Sequence, residues 1–182
     1  MLQIVIATAK PLVAYADRLL YRGPSLSELH ELAKAGSVDE RASIRAAAEV
    51  RIDAPRAVVW RVLSDLGSWP ALDIGVTAMA APADVAVDQQ FTWTNGGMPI
   101  TSRLAVVDAG REISWTGTTY GVKAIHRQLL ADDGAESTLL RSEETMAAPL
   151  LALMYPSRKL QRDLTTFVTA IKIAAERAHV PV

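Results

Sequence analysis

The chain has 182 residues, half of them apolar, a length that fits one domain with a substantial core. Its 19 basic and 20 acidic residues give a formal net charge of −1. The basic footprint of a nucleic-acid-binding protein is therefore missing, and we predict no nucleic-acid partner. The chain has no cysteine, which excludes disulfides, thiolate metal sites and thiol catalysis.

Residues 1–9 are almost continuously apolar, but this run lacks the features of an export signal. Its first basic residue, Lys10, follows the apolar run instead of preceding it. The run is too short to cross a bilayer, and Lys10-Pro11 and Asp17-Arg18 interrupt any extension of it. We predict a cytoplasmic protein without integral membrane insertion, with a peripheral membrane contact through this segment as the alternative.

Residues 1–42 are predicted to form a helical arm of two short helices. The apolar stripe of the first helix consists of Leu12, Tyr15, Leu19 and Leu20. Gly23-Pro24 ends it, and Ser25 with Glu28 has the spacing of a capping box at the start of the second helix. The apolar side of the second helix consists of Leu26, Leu29 and Leu32, before Gly36. We expect the arm to pack on the main domain or on a partner chain, and the second arrangement predicts a homodimer.

The main domain, residues 43–180, is predicted to begin with a strand and a helix. Apolar and charged residues alternate over residues 44–53, which is the period of a half-buried strand. Pro55 then suits the first turn of a helix. The apolar face of that helix consists of Val59, Val62, Leu63 and Leu66. Gly67 ends the helix, and Trp69-Pro70 forms a rigid corner.

Residues 74–146 show repeated alternation and turn signals, which predicts consecutive antiparallel strands. The turn signals are Asn95-Gly96-Gly97, Asp108-Ala109-Gly110 and Asp133-Gly134. A long terminal helix follows, which Ser157 is predicted to cap, and its apolar stripe consists of Leu160, Leu164, Phe167, Val168, Ile171 and Ala175. Strand, helix, meander and terminal helix predict an α+β domain with a sheet of about seven strands.

Known catalytic sequence signatures are not found in this chain. Its three histidines, His30, His126 and His179, fall in three different predicted elements and do not predict a metal site. We predict neither a metal nor another cofactor.

His126 is the candidate for chemistry, because it shares a strand face with Ala124, Gln128 and Leu130 that we assign to the inside of the sheet. If the Asp133-Gly134 turn makes a tight hairpin, Arg141 lies nearly opposite His126, and Glu143 lies near Ala124. His126, Arg141 and Glu143 are thus the candidate catalytic residues, able to orient a phenolic or keto ligand and move its protons. The alternative is a satisfied ion-pair network that fixes strand register.

Lys123 and Glu144, on the same two strands, are expected to pair on the outer face of the sheet, where a salt bridge contributes little stability.

Several phrases of the main domain resemble one protein family. They are Val50-Arg51-Ile52-Asp53-Ala54-Pro55, Val58-Val59-Trp60, Trp69-Pro70, Trp115-Thr116-Gly117, Gly121-Val122-Lys123-Ala124-Ile125-His126 and Glu143-Glu144. Over residues 43–178 the chain resembles the START-like SRPBCC superfamily, in particular its polyketide cyclase/dehydrase branch, many members of which are bacterial. The resemblance implies a helix-grip fold, in which a curved sheet wraps the last helix and leaves an internal cavity.

The family resemblance implies two functions for this chain, and the N-terminal arm adds a third. The first is carriage of a hydrophobic small molecule such as a lipid, polyketide or aromatic metabolite. The second is a cyclase/dehydrase activity in which His126, with Arg141 or Glu143, assists enolisation and water loss. The third is regulation of a partner through residues 1–42. The candidate ligand-binding residues are Trp93, Ser102, Leu104, Trp115, Tyr120, Gln128 and Phe167.

Overall fold

The computed structural model describes residues 17–134 and 136–179. The predicted stripe residues Leu12 and Tyr15 and the apolar run 1–9 lie outside these residues. Within them, the main domain has the α+β architecture that the sequence predicts.

One antiparallel sheet of seven strands, in the order β1-β7-β6-β5-β4-β3-β2, forms the centre of the fold. The strands are β1 (Ile44–Ile52), β2 (Val76–Ala80), β3 (Gln90–Asn95), β4 (Met98–Asp108), β5 (Glu112–Thr119), β6 (Val122–Asp132) and β7 (Thr138–Ala147). The helices are α1 (Leu26–Lys34), α2 (Arg56–Ser64), a 3₁₀ helix (Leu66–Leu72), α3 (Leu151–Met154) and α4 (Ser157–Ala178). A curved sheet with one long helix against it is the helix-grip fold, as predicted.

Helix α4 covers the inner face of the sheet with the stripe predicted from its sequence. The fully or almost fully buried members of that stripe are Leu160, Leu164, Val168, Ile171 and Ala175. Phe167 is only half-buried, beside the same core. The predicted cap is wrong in detail, because Pro156, whose ring favours the extended backbone seen there, occupies the N-cap position. The Ser157 hydroxyl instead accepts a hydrogen bond from the Arg45 backbone N–H.

Helix α1 lies on the opposite, outer face. Its predicted capping box is confirmed, since the Glu28 N–H donates to Ser25 Oγ and the Ser25 N–H donates to the Glu28 carboxylate. Leu29 and Ala33 pack on Ala105 and Ile125 of the sheet, in a second apolar cluster. This helix of the predicted arm therefore packs on the main domain, while the homodimer stays a prediction.

Across the described ranges, 17–134 and 136–179, no helix is both long enough and apolar enough to span a bilayer.

Candidate functional site

Five aromatic side chains meet on the inner face of the sheet. Trp69, placed by the 3₁₀ corner, lies with its ring centroid 5.5 Å from that of Trp115 and 5.3 Å from that of Phe167. Trp93 meets Trp69 edge-on at 6.3 Å, and Phe91 meets Trp115 at 6.2 Å. The strand residues point inward because they occupy alternate positions of β3 and β5. The result is a continuous aromatic wall beneath α4.

His126 lies within this wall and is the polar centre of the site. Its ring stacks on Trp115 at a centroid distance of 5.0 Å with an interplanar angle of 13°, and it makes an edge-type contact with Trp93 at 6.1 Å. His126 Nδ1 lies 3.1 Å from Glu144 Oε2. Only 9% of His126 and 5% of Glu144 is exposed. A carboxylate this deeply buried depends on its partner, because few other groups compensate its charge there.

The partner of His126 differs from the predicted one. In the β6–β7 pair His126 is opposite Glu144, Arg127 is opposite Glu143, and Leu129 is opposite Arg141. The prediction assumed a tight turn at Asp133-Gly134, but the strands are joined by the longer connection 133–137, between the paired Asp132 and Thr138. The register therefore shifts by an odd number of residues, and an odd shift exchanges the two faces of a strand.

Arg141 and Glu143 accordingly face outward, and the structure does not bring them to His126. Arg141 Nη2 lies 3.7 Å from a Glu143 carboxylate oxygen, and Glu143 also lies 3.5 Å from Arg127 Nη1. Arg127 donates to both carboxylate oxygens of Glu112, and this hydrogen bonding raises the pKa of its guanidinium. These residues form an ion-pair network on the outer face.

The predicted outer-face pair of Lys123 and Glu144 is also wrong. Lys123 Nζ donates to the backbone carbonyl groups of Gly23 and Pro24, which ties the chain before α1 to the sheet. Glu144 is on the inner face because of the same register shift.

Five buried polar atoms of the inner face have no hydrogen-bond partner among the residues that the structure describes: Trp115 Nε1, Thr119 Oγ1, Gln128 Oε1, Ser142 Oγ and Glu144 Oε1. They lie on three adjacent strands, since Gln128 is opposite Ser142 and His126 is opposite both Trp115 and Glu144. Buried polar groups are almost always paired, so a cluster of unpaired ones is unusual for a simple core. The inner face therefore has hydrogen-bonding capacity that a guest molecule or water could use.

A cavity of about 340 Å³ opens on the surface beside β1 and β7, and its walls include Arg45, Glu143, Glu144 and Ser157. A second cavity of about 400 Å³ lies between α2 and the end of α4, with Val58 and Ala174 in its walls. Neither cavity lies among the aromatic rings, which are in contact with one another. The internal cavity that the family resemblance implies stays a prediction.

Of the remaining predicted ligand-binding residues, two lie on the inner face of the sheet and one is exposed to solvent. Ser102 and Leu104 are buried on the inner face of β4, and Ser102 Oγ accepts a hydrogen bond of 3.0 Å from Trp93 Nε1. Tyr120 lies at the β5–β6 turn and is 81% exposed, so it does not touch the aromatic wall.

Four residues of the site were not predicted from the sequence: Trp69, Phe91, Ser142 and Glu144. The sequence places Trp69 in the corner after α2, but the direction of its side chain depends on long-range packing. Ser142 and Glu144 could be identified only with the correct β6–β7 register.

The family model described as polyketide cyclase / dehydrase and lipid transport matches residues 43–176. The chain belongs to this family. The match includes the whole sheet and nearly all of α4, and it begins after α1. No curated protein sequence matches this family member.

Solved structures share the fold at low sequence identity. A START superfamily protein from Mycobacterium smegmatis has 15% identity and a TM-score of 0.64, covering 74% of this chain and 99% of its own. An aromatase/cyclase from Streptomyces sp. R1128 has 19% identity and a TM-score of 0.62, covering 73% and 93%. Norcoclaurine synthase from Thalictrum flavum has 16% identity and a TM-score of 0.60, covering 75% and 88%.

Proposed function

We propose that this family member binds a hydrophobic, partly polar small molecule on the inner face of its sheet, around His126. The observation that carries the proposal is the combination of an aromatic wall with five unpaired polar atoms on the same face of the sheet as the His126–Glu144 pair. Ligand sites are mostly apolar surfaces with a few polar groups that fix orientation, and this arrangement has both.

Entry of a guest requires a side chain to move, because the aromatic rings touch. Phe167 is the best candidate, since it is half-buried on α4 and contacts the wall only at its edge, through Trp69. Its displacement would uncover the Trp69 ring while the β-sheet framework stays in place.

The expected affinity follows from the area that a guest can bury. A bicyclic aromatic guest burying about 200 Å² gains roughly 5 kcal/mol from the hydrophobic effect, at about 25 cal/mol per Å². Part of this gain offsets the loss of translational freedom and the exposure of Phe167. We therefore expect purely apolar guests to bind weakly, with hydrogen bonds to the polar atoms adding the affinity that a physiological ligand needs.

An enzymatic role is the second candidate, and the orientation of His126 favours it. Because Nδ1 engages Glu144, the ring is held in one position with Nε2 free to face a guest, which is the arrangement of a general base and its orienting carboxylate. Glu144, instead of Arg141 or Glu143, would then assist His126 in the enolisation and water loss of a cyclase/dehydrase. A partner-binding role for residues 1–42 has less support, since the apolar side of α1 already packs on the sheet.

Native mass spectrometry of the purified protein, followed by denaturing extraction, tests the binding proposal. We expect a co-purifying apolar molecule whose retention is lost in Trp93→Ala and kept in Trp60→Phe, a half-buried tryptophan of α2 outside the wall. Retention that is equal in the two variants would contradict the proposed location. A His126→Ala variant that keeps its ligand but loses turnover of it would support the enzymatic role instead of carriage.

A further inference from the structure

Large apolar side chains are exposed at one end of the sheet. The β3–β4 turn, the β5–β6 turn and the end of β7 all lie at this end, because the strands between them are antiparallel. The chain before α1 reaches it too, since the Leu150 backbone N–H donates to the Leu19 carbonyl oxygen over 2.6 Å. The exposed apolar residues here, which we call the apolar rim, are Leu20, Met98, Tyr120, Leu150, Leu153 and Met154.

Two rim residues have a backbone conformation that their side chains do not favour. Tyr120 (φ +44°) and Leu150 (φ +61°) are in the left-handed region, where glycine or asparagine is the usual residue. Tyr120 is the first residue of a two-residue turn between the paired Thr119 and Val122, and such turns favour Asn-Gly. Its side chain is 81% exposed, so packing within the protein does not compensate for the backbone strain. Strained residues are concentrated at functional surfaces, and we therefore expect the rim to contact something outside this chain.

Cationic side chains flank the rim. Arg22, just after the Leu20 position, and Arg158, in the first turn of α4, are exposed and form no ion pair within the part of the chain that the structure describes. The start of α4 lies beside the start of β1, at the same end of the sheet. Two acidic groups close to them in sequence are already engaged, since Asp163 pairs within α4 and Glu28 belongs to the capping box of α1. The exposed Asp17 offsets part of this positive charge but not all of it.

A surface of this composition fits an anionic lipid bilayer. The rim consists of the tips of turns and a one-turn helix, which can enter the headgroup layer without any change in the sheet. Tyrosine suits that layer because its ring is apolar and its hydroxyl group is polar, and unpaired arginines attract anionic lipids. A second copy docked on the same surface by two-fold symmetry would instead bring the arginines of both copies towards each other.

We propose that the apolar rim docks the protein on the surface of an anionic membrane, with Arg22 and Arg158 at the lipid headgroups. Docking through the rim does not require a guest on the inner face of the sheet, so it is a property beyond the proposed function.

Co-sedimentation of the full-length protein with lipid vesicles tests the proposal. The vesicles contain either phosphatidylcholine alone or phosphatidylcholine mixed with phosphatidylglycerol. We expect binding to the mixed vesicles that weakens as the salt concentration rises, because salt screens the arginines. Met154→Asp should lower the partition coefficient by at least about tenfold, since it replaces an apolar contact with the bilayer by a charge. Arg22→Glu/Arg158→Glu should remove the preference for the mixed vesicles.

Two further variants separate docking from folding. Tyr120→Asn introduces a residue that suits the left-handed turn, so it should unfold at no lower urea concentration than the unaltered protein while binding the mixed vesicles more weakly. Ile173→Asp is the matched control, because Ile173 is an exposed apolar residue near the opposite end of α4, and this variant should keep the vesicle binding.

Three outcomes would overturn the proposal. The first is absence of vesicle binding. The second is equal binding by the unaltered protein, Tyr120→Asn and Met154→Asp, since the contact would then be in another part of the chain. The third is self-association in analytical ultracentrifugation that Met154→Asp abolishes, which would assign the rim to a second copy of the chain.

Discussion

The His126–Glu144 pair gives the sharpest stability prediction, because its two members respond differently to loss of the partner. His126→Ala leaves a carboxylate that is only 6% exposed without its neighbour, and breaking a buried pair in this way costs about 3–5 kcal/mol of unfolding free energy. Glu144→Ala leaves an imidazole, which carries no obligatory charge, so only the contact with Glu144 and some packing are lost, about 1–3 kcal/mol. We expect the first variant to be the less stable.

A double-mutant cycle isolates the interaction. The His126→Ala/Glu144→Ala protein no longer contains a stranded carboxylate, so its loss should be smaller than the sum of the single losses by about 2–3 kcal/mol. The assay is urea denaturation followed by circular dichroism, with an unchanged m-value as the condition for comparing free energies. The control cycle pairs His126→Ala with Arg141→Ala, whose side chain is on the outer face and 44% exposed, and it should be additive. Additivity in the first cycle, or coupling in the control, would refute the register and burial described above.

Three other changes have definite expected outcomes. Hydrogen bonds from Lys34 and His30 lower the pKa of Asp88 from 3.8 to about 2. The stability that these bonds give to the docking of α1 is therefore present above pH 3.8 and is lost as the pH falls through about 2. Pepsin cleavage in α1 should rise over this pH window, and Asp88→Asn should remove the pH dependence. Ser25→Ala should cost about 1 kcal/mol in urea denaturation through loss of the capping box, whereas Ser27→Ala, an exposed residue of α1, should change little. Phe167→Ala should speed binding of 2-naphthol in stopped-flow fluorescence because it opens the wall, and an unchanged or slower rate would exclude Phe167 as the gate.

The fold was predictable because its signals are local. Alternation indicates which residues of each strand share a face, and in the structure Trp93, Ser102, Trp115, His126 and Gln128 all lie on the inner face. The capping box at Ser25 and the apolar stripe of α4 were equally direct, since each depends on spacing within one element.

The polar partner of His126 was not predictable from the same signals. It depends on the length of the connection between β6 and β7, and an Asp133-Gly134 dipeptide occurs in long connections as well as in tight turns. When the assumed β6–β7 register is wrong by an odd number of residues, every residue of β7 is assigned to the wrong face of the sheet. For this reason Arg141 and Glu143 were predicted as partners of His126 instead of Glu144. The packing of Trp69 against three other rings depends on long-range contacts that no local pattern contains.

The central claim, a guest on the inner face around His126, is tested most directly by the tryptophan indole N–H signals in ¹H–¹⁵N NMR. Each of the four tryptophans gives one signal, and Trp60 on α2 serves as an internal control beside Trp69, Trp93 and Trp115. On titration with 2-naphthol we expect the Trp93 and Trp115 signals to shift to saturation while the Trp60 signal stays in place. A titration that shifts only Trp60, or none of the four, would contradict the account.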